Sequence, residues 1–489
     1  MREGLADIHT PDWVKHAVFY QIFPDRFAKS DRLVKPHNLQ PWDSPPTAEG
    51  YKGGDLLGVV ERLDHIQDLG ATAIYFTPIF QSASNHRYHT HDYYQVDPLL
   101  GSNAAFRTLL NAAHRRGIRV VLDGVFNHAS RGFFQFSDIL EHGPHSAWLD
   151  WFTVEGWPLH PYDGDKPANY VSWVGNRALP KLNTENSQVR EFIMQVAEHW
   201  LREGIDGWRL DVPFEITTPG FWQEFRQRVK AVNPEAYIVG EVWRDSRQWL
   251  DGTQFDAVMN YLFAESAIAF AAGPRVRPET LIDRSYDPIP ALSGSGYADK
   301  IDWLLNLYPW EIQLAQLNLL DSHDTARLLN IASHDTASVR LATLLLLTYP
   351  GAPSIYYGDE IGLPGELDPD CRRTILWDQP ETWDLQALAY HKRMIAMRHA
   401  HPALRTGAYR RLYADADTYA LARANDAETL LVAVNVAEAP RAIAVPAGGL
   451  FAEGAELAAV YGERGARVEG GLARIDLPAR DGVVLLAHR

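Results

Sequence analysis

The chain has 489 residues, 46% hydrophobic and 22% charged, a globular balance long enough for one large domain and appendages. Its formal net charge of −16 argues against a nucleic-acid or anionic-membrane partner, both of which need basic patches, and suits a neutral substrate. The single cysteine, Cys371, excludes an intramolecular disulfide and a multi-cysteine metal site. Fifteen Trp and 21 Tyr supply faces that stack on sugar rings, although most large aromatics are core. Met1-Arg2-Glu3-Gly4-Leu5-Ala6-Asp7 lacks the apolar centre of a signal peptide. The longest apolar run, 341–350, is interrupted by Thr343 and Thr348 and is too short to cross a bilayer. A cytoplasmic location is expected.

In chain order, residues 18–23 read as a strand closed by Pro24. Apolar residues at helical spacing predict a helix over 56–69, stopped by Gly70. Strand 73–76 ends at Pro78, a helix over 106–116 ends at Gly117, and strand 120–122 leads into Asp123. A helix over 189–203 stops at Gly204, and the short apolar strand that follows carries Arg209 and Asp211. A helix over 221–232, strand 237–239, a strand near 317–320, a helix over 338–347, strand 354–357 and a helix over 385–399 complete the series. Continuous apolar strands alternating with amphipathic helices mean a parallel sheet covered on both faces. About eight such units predict an α/β fold, a closed (β/α)8 barrel with long insertions. The alternative, a doubly wound open sheet, wants a Gly-rich phosphate turn where this chain has Pro24-Asp25-Arg26-Phe27.

The alternation lapses between 126 and 182, a stretch rich in Trp, Pro, Gly and His, which predicts an inserted subdomain after strand 3. Strand-and-turn patterning after His401 predicts a C-terminal antiparallel β-sandwich domain. The expected division is 1–128 and 183–401 for the barrel, 129–182 for the insert and 402–489 for the C-terminal domain.

Polar residues at strand ends mark the candidate site, because barrel chemistry sits at the C-terminal rim. They are Asp123 to His128 after the third strand, Arg209 and Asp211 on the fourth, Glu241 with Trp243 after the fifth, and Ser322-His323-Asp324 after the seventh. Arg209 and Asp211, two apart, point to one side of their strand, as a catalytic pair or as a structural ion pair at the rim. Three acids, an Arg and two His suit glycosidic cleavage, with one acid to protonate the leaving oxygen and one carboxylate to attack. Asp211, kept ionised by Arg209, fits the nucleophile. Glu241, after an apolar strand and beside Trp243, fits an acid/base with a raised pKa, and Asp324 is the third acid. His128 and His323 are expected to bond sugar hydroxyls.

These motifs resemble the successive conserved regions of the α-amylase family, glycoside hydrolase family 13. Leu179-Pro180-Lys181-Leu182-Asn183 resembles the fifth region of its neopullulanase, cyclomaltodextrinase and maltogenic amylase group. Residues 14–27, Gly53-Gly54-Asp55-Leu56 and Ile355-Tyr356-Tyr357-Gly358-Asp359-Glu360 also fit. The resemblance implies a retaining α-glucan hydrolase acting on maltodextrins, cyclodextrins and pullulan, with some transglycosylation. Asp211 is then the nucleophile, Glu241 the acid/base and Asp324 the transition-state stabiliser. It further implies that Tyr88 stacks on the reacting sugar, that Asp368 and Arg372 hold the next sugar on the non-reducing side, and that Trp243 lines the leaving-group side. Asp123 supports Arg209. A mainly transferring or isomerising member of the family is the nearest alternative; a catalytically dead binding barrel is another, disfavoured because all three acids are present.

The chain departs from the group in three places. The barrel begins by about residue 13, so the N-terminal β domain and the dimer it builds are not expected. Pro213-Phe214-Glu215 follows the nucleophile where the group commonly has a small residue, Asn and Glu; Glu215 matches and Phe214 does not, and in the group these positions influence the choice between α-1,4 and α-1,6 linkages. Lys29-Ser30-Asp31-Arg32 replaces an Asn/Asp/Gly-rich loop that often binds calcium; with Asn127 alone no ligand set is assignable, and no cofactor is expected to be required.

Overall fold

A computed structural model describes residues 8–162, 164–282 and 286–487. The first seven residues, on which the expectation of no signal peptide rests, lie outside the described residues.

Eight parallel strands form the barrel: β1 (Phe19–Ile22), β2 (Ala73–Phe76), β3 (Arg119–Gly124), β4 (Gly207–Leu210), β5 (Tyr237–Gly240), β6 (Ala257–Val258), β7 (Leu317–Asn318) and β8 (Ala352–Tyr356). Their order is β6-β5-β4-β3-β2-β1-β8-β7, and a parallel bridge between Met259 and Leu317 joins the two ends. The strands are almost entirely buried, as a sheet enclosed on both faces requires. Strand β6 escapes sequence reading because it is two residues long and carries no periodicity.

The outer layer includes α1 (Leu56–Glu61), α2 (Leu63–Leu69), α3 (Ser102–Arg115), α4 (Ser187–Glu203), α5 (Phe221–Val232), α6 (Tyr261–Ala271), α7 (Gly294–Leu307), α8 (Thr336–Thr348) and α9 (Leu385–Ala400). The helix expected over 56–69 is two helices. The break falls at Arg62, whose backbone leaves the helical region (φ −112°, ψ 8°) while its guanidinium lies 4.6 Å over the Trp377 ring. At the end of α4, Gly204 takes φ 109° and its N–H caps the Trp200 and Leu201 carbonyls, turning the chain directly into β4.

After β3 the chain runs through helix Phe134–His142 and returns by antiparallel bridges His128–Lys181 and Phe152–Leu182. The insert is therefore pinned to the rim beside the C-terminal end of β3. After α9 come eight antiparallel strands: β9 (Ala408–Ala414), β10 (Thr418–Ala424), β11 (Thr429–Asn435), β12 (Arg441–Pro446), β13 (Glu456–Tyr461), β14 (Ala466–Glu469), β15 (Leu472–Leu477) and β16 (Asp481–Ala487). Ordered β9-β10-β11-β16-β13-β14-β15-β12, they enclose a second core that includes Val445, Val468 and Leu485.

Candidate active site

Backbone register assembles the acids. Asp123 on β3 lies beside Arg209 on β4, and Arg209 beside Val239 on β5. The ladder continues past the strand ends: the Asp211 N–H donates to the Gly124 carbonyl and the Glu241 N–H to the Leu210 carbonyl. Gly207 permits this close stacking, since a Cβ there would meet the Tyr237 carbonyl oxygen at 2.4 Å.

Arg209 is fully buried and serves three carboxylates. Its Nη1 donates to Asp123 Oδ2 at 2.9 Å and to Asp211 Oδ1 at 3.0 Å. Its Nη2 lies 2.9 Å from Glu241 Oε2 but off the N–H axis, a charge contact and not a directed hydrogen bond. Asp123 Oδ2 also accepts from the Tyr75 and Tyr88 hydroxyls, both at 3.0 Å. Glu241 Oε1 accepts from Trp243 Nε1 at 2.9 Å, and Oε2 from the Val212 N–H at 3.2 Å.

One guanidinium cannot neutralise three buried carboxylates. Burial raises Asp211 well above the ordinary carboxylate range; Arg209 opposes this and Glu241 adds to it. Burial also raises Glu241, against Arg209, and lifts Asp123 to about 6, again against Arg209. Arg209 favours the ionised form of Asp211, as expected, but its charge is shared with Asp123 and Glu241.

Asp324, on the loop after β7, is 29% exposed in its side chain. Its Oδ2 lies 3.2 Å from His323 Nε2 and its Oδ1 3.4 Å from Arg372 Nη2, while Arg372 Nη1 holds Asp368 Oδ1 at 2.9 Å. His128 stacks on Trp173 with ring centres 5.2 Å apart, and burial lowers its imidazole to about 3. Trp243 stacks on Tyr261 at 3.6 Å.

These groups meet at a cleft of about 530 Å³. Of the ten residues expected at the site, Asp211, Glu241, Asp324, Tyr88, His128, Trp243, Asp368 and Arg372 line it. Arg209 and His323 do not; both are fully buried beneath its floor. Both His323 ring nitrogens have protein partners, Gln21 Nε2 at 2.8 Å and the Tyr88 hydroxyl at 2.6 Å. Sequence reading missed His86, His89, Trp173 and Val174 in the lining, because they sit on loops without periodicity. Phe214 is not in the lining; it lies under the Arg244 guanidinium, 5.7 Å away. Glu215 accepts Lys181 Nζ at its backbone carbonyl, 2.8 Å.

Around Lys29-Ser30-Asp31-Arg32, which stands where the family often has a calcium-binding loop, the residues do not fit a calcium ion. Asp31 is exposed, and Asp55 Oδ2 is already paired with Lys35 Nζ at 2.8 Å, an ammonium that also bonds the Leu99 carbonyl. Among the described residues no three His, Cys, Asp or Glu side chains are placed to hold a metal ion.

A parallel barrel whose rim gathers paired carboxylates over a buried arginine, beside stacked aromatics, has the architecture of a glycoside hydrolase. Residues 21–382 match the family described as "Alpha amylase, catalytic domain", and residues 409–479 the "Neopullulanase-like, C-terminal domain". The chain belongs to the α-amylase family. A cyclomaltodextrinase from Bacillus sp. is 44% identical over 433 residues, 87% of this chain and 73% of its own length. Neopullulanase 2 from Thermoactinomyces vulgaris is 45% identical over 423 residues, 85% of this chain and 68% of its own. The crystal structure of a debranching enzyme from Nostoc punctiforme superposes with a TM-score of 0.90 at 61% identity, over 98% of this chain and all of that one.

Proposed function

We propose that this glycoside hydrolase cleaves α-1,4-glucosidic bonds of maltodextrins and cyclodextrins, with pullulan as a further substrate, by a retaining mechanism. The observation that carries the reading is the placement of Asp211 and Glu241 on the two ends of one guanidinium, at a cleft that Asp324 also lines. Retention needs two carboxyl groups about 5–5.5 Å apart, and a shared arginine supports such a close pair. Arg209 holds Asp211 Oδ1, so Oδ2 attacks the anomeric carbon. Glu241 gives its proton to the glycosidic oxygen, the C–O bond breaks, and the leaving sugar departs with a hydroxyl. Water then attacks the anomeric carbon, gives its proton to Glu241 and displaces Asp211. A sugar hydroxyl in place of water gives transglycosylation. Asp324 faces the positive charge that develops on the ring, and Tyr88 offers its ring face to the sugar. Asp368 and Arg372 hold the next sugar, and Trp243 lines the leaving-group side. All of these roles are filled by side chains, and no metal cofactor is required; full activity after chelator treatment is the expected outcome.

A second reading, α-1,6 cleavage, is favoured by the 61% identity to the protein named as a debranching enzyme. A cytoplasmic location is supported by the 39% identity, over 398 residues, to a protein of Bacillus subtilis named "Intracellular maltogenic amylase". No helix among the described residues is long and apolar enough to cross a membrane. Parallel product time courses on maltoheptaose, β-cyclodextrin, pullulan and starch test the assignment. Maltose and glucose from the first two are expected. Exclusive cleavage of α-1,6 links would replace the first reading with the second, and longer products as the main outcome from maltotriose would make the enzyme a transferase.

A further inference from the structure

Beneath the cleft, hydrogen positions can be worked out from the acceptors. A carboxylate only accepts, so the Tyr88 hydroxyl, 3.0 Å from Asp123 Oδ2, donates to it. The Tyr88 oxygen is then free to accept, and its neighbour at 2.6 Å is His323 Nε2. That nitrogen must carry a proton. Burial, with Arg372 and Arg209 nearby, holds the His323 imidazole well below its ordinary value, so the ring is neutral and has one proton only. Nδ1 is therefore bare. The group 2.8 Å from it is the Gln21 side-chain amide, which presents its N–H₂. Gln21 lies on β1, is 2% exposed and is not among the residues that line the cleft.

We propose that Gln21 is a positioning residue of this active site: by donating to His323 Nδ1 it selects the Nε2–H tautomer, which turns the Tyr88 hydroxyl proton onto Asp123. The inference rests on the catalytic roles assigned above to Asp211 and Tyr88. A continuous chain results, from the Gln21 amide through His323 and Tyr88 to Asp123, and from Asp123 through Arg209 Nη1 to Asp211 Oδ1. The same chain fixes the Tyr88 ring, whose plane lies within 6° of the His323 ring. Reversing the tautomer would make Nε2 an acceptor, take the Tyr88 proton away from Asp123 and remove one of its donors.

The polar, charged and titratable groups facing His323 come from five other elements and from its own loop. They are Gln21 on β1, His86 and Tyr88 after β2, Asp123 through Tyr88 from β3, Arg209 on β4, Asp324 beside it, and Arg372 after β8. Of these only Gln21 reaches Nδ1, while the Tyr88 oxygen and Asp324 Oδ2, 3.2 Å away, face Nε2; Gln21 holds the Nδ1 side of a tautomer that is set from both ends of the ring.

Nitrogen-15 NMR of the full chain labelled at histidine reads the tautomer directly, with the His323 signals identified by their loss in His323→Gln. The expected pattern is a protonated Nε2 and a bare Nδ1 in the parent protein, inverted in Gln21→Glu, whose carboxylate can only accept. A proton on Nδ1 of the parent overturns the proposal without any variant having to fold. In kinetics, Gln21→Glu should lower kcat by about tenfold to a hundredfold, with KM for maltotriose little changed. Gln21→Glu and Tyr88→Phe act on one chain, so the double variant should be little slower than the slower single. Multiplying losses would mean that Gln21 acts elsewhere, and overturn the proposal. Asp211→Asn separates the levels: turnover at the parental rate removes the site assignment itself, whereas an inactive Asp211→Asn beside an Nδ1-protonated parent removes only the role of Gln21.

Discussion

Val212 carries a β-branched side chain in the left-handed region, φ 35° and ψ 51°, one residue after Asp211. Such a conformation costs on the order of 1–2 kcal/mol for an L-residue. What it secures is direction, because the turn aims the Val212 N–H at Glu241 Oε2. Val212→Gly should relieve the strain, offset in part by about 0.5–1 kcal/mol of added chain entropy. Stability should stay equal or rise by up to about 1 kcal/mol, while kcat falls several-fold as the N–H loses its fixed aim. Denaturant melts and initial rates check both. A loss of stability would show that packing of this 8%-exposed side chain outweighs the strain.

At the scale of elements, two buried arginines paired with carbonyl oxygens stand where the barrel meets the C-terminal sheet, and one of them, Arg423, crosses between the two. Arg423 on β10 donates to the carbonyls of Thr348, Leu404 and Gly407, and Arg398 on α9 to those of Leu347, Tyr349 and Leu404. Removing Arg423 takes its donors from the buried Thr348 and Gly407 carbonyls, while the Leu404 carbonyl keeps Arg398, at about 1–3 kcal/mol for each unsatisfied group. Arg423→Met should therefore lower stability by about 3 kcal/mol or more and leave KM unchanged, since the junction is remote from the cleft; chemical denaturation and initial rates measure the two. A neutral melt would mean the junction is held by apolar contacts alone. Such links were not legible in the sequence, because a carbonyl partner has no residue signature. What was legible is what strand periodicity and polarity encode: Asp123, Asp211 and Glu241 stand out as polar residues at the ends of apolar strands. Gln21 does not, because a single polar residue within a strand looks like noise until the partner it meets, 302 positions away, is known. Strand β6 was too short to read, and the break at Arg62 depends on an aromatic from the far end of the barrel, Trp377.

At the scale of the whole molecule, burial keeps several histidines of the cleft neutral. Desolvation lowers His89 to about 4 and His128 to about 3, and holds His86 and His323 well below the ordinary value. In the unfolded chain these rings protonate near 6.5. Between that value and the folded one, the unfolded state binds more protons, so stability is present above about pH 6.5 and lost as pH falls toward 3–4. His128→Gln should melt with a flatter pH dependence than the parent from pH 6.5 to 4; a parallel curve would mean that His128 is protonated in the folded protein. Burial raises the carboxylates around Arg209, Asp211 among them, so the acid limb of the activity profile is expected above the ordinary carboxylate range, where the nucleophile loses its charge. Stability and activity are then expected to decline together on the acid side, from different groups.

Covalent trapping addresses the central assignment, that Asp211 bonds to the sugar while Glu241 handles the proton. A fluorinated α-glucosyl fluoride, whose glycosyl-enzyme hydrolyses slowly, should inactivate the full chain with one sugar per protein. Peptide mass spectrometry should place that sugar on Asp211. Label on Glu241 or Asp324, or steady turnover without any covalent adduct, would contradict the account.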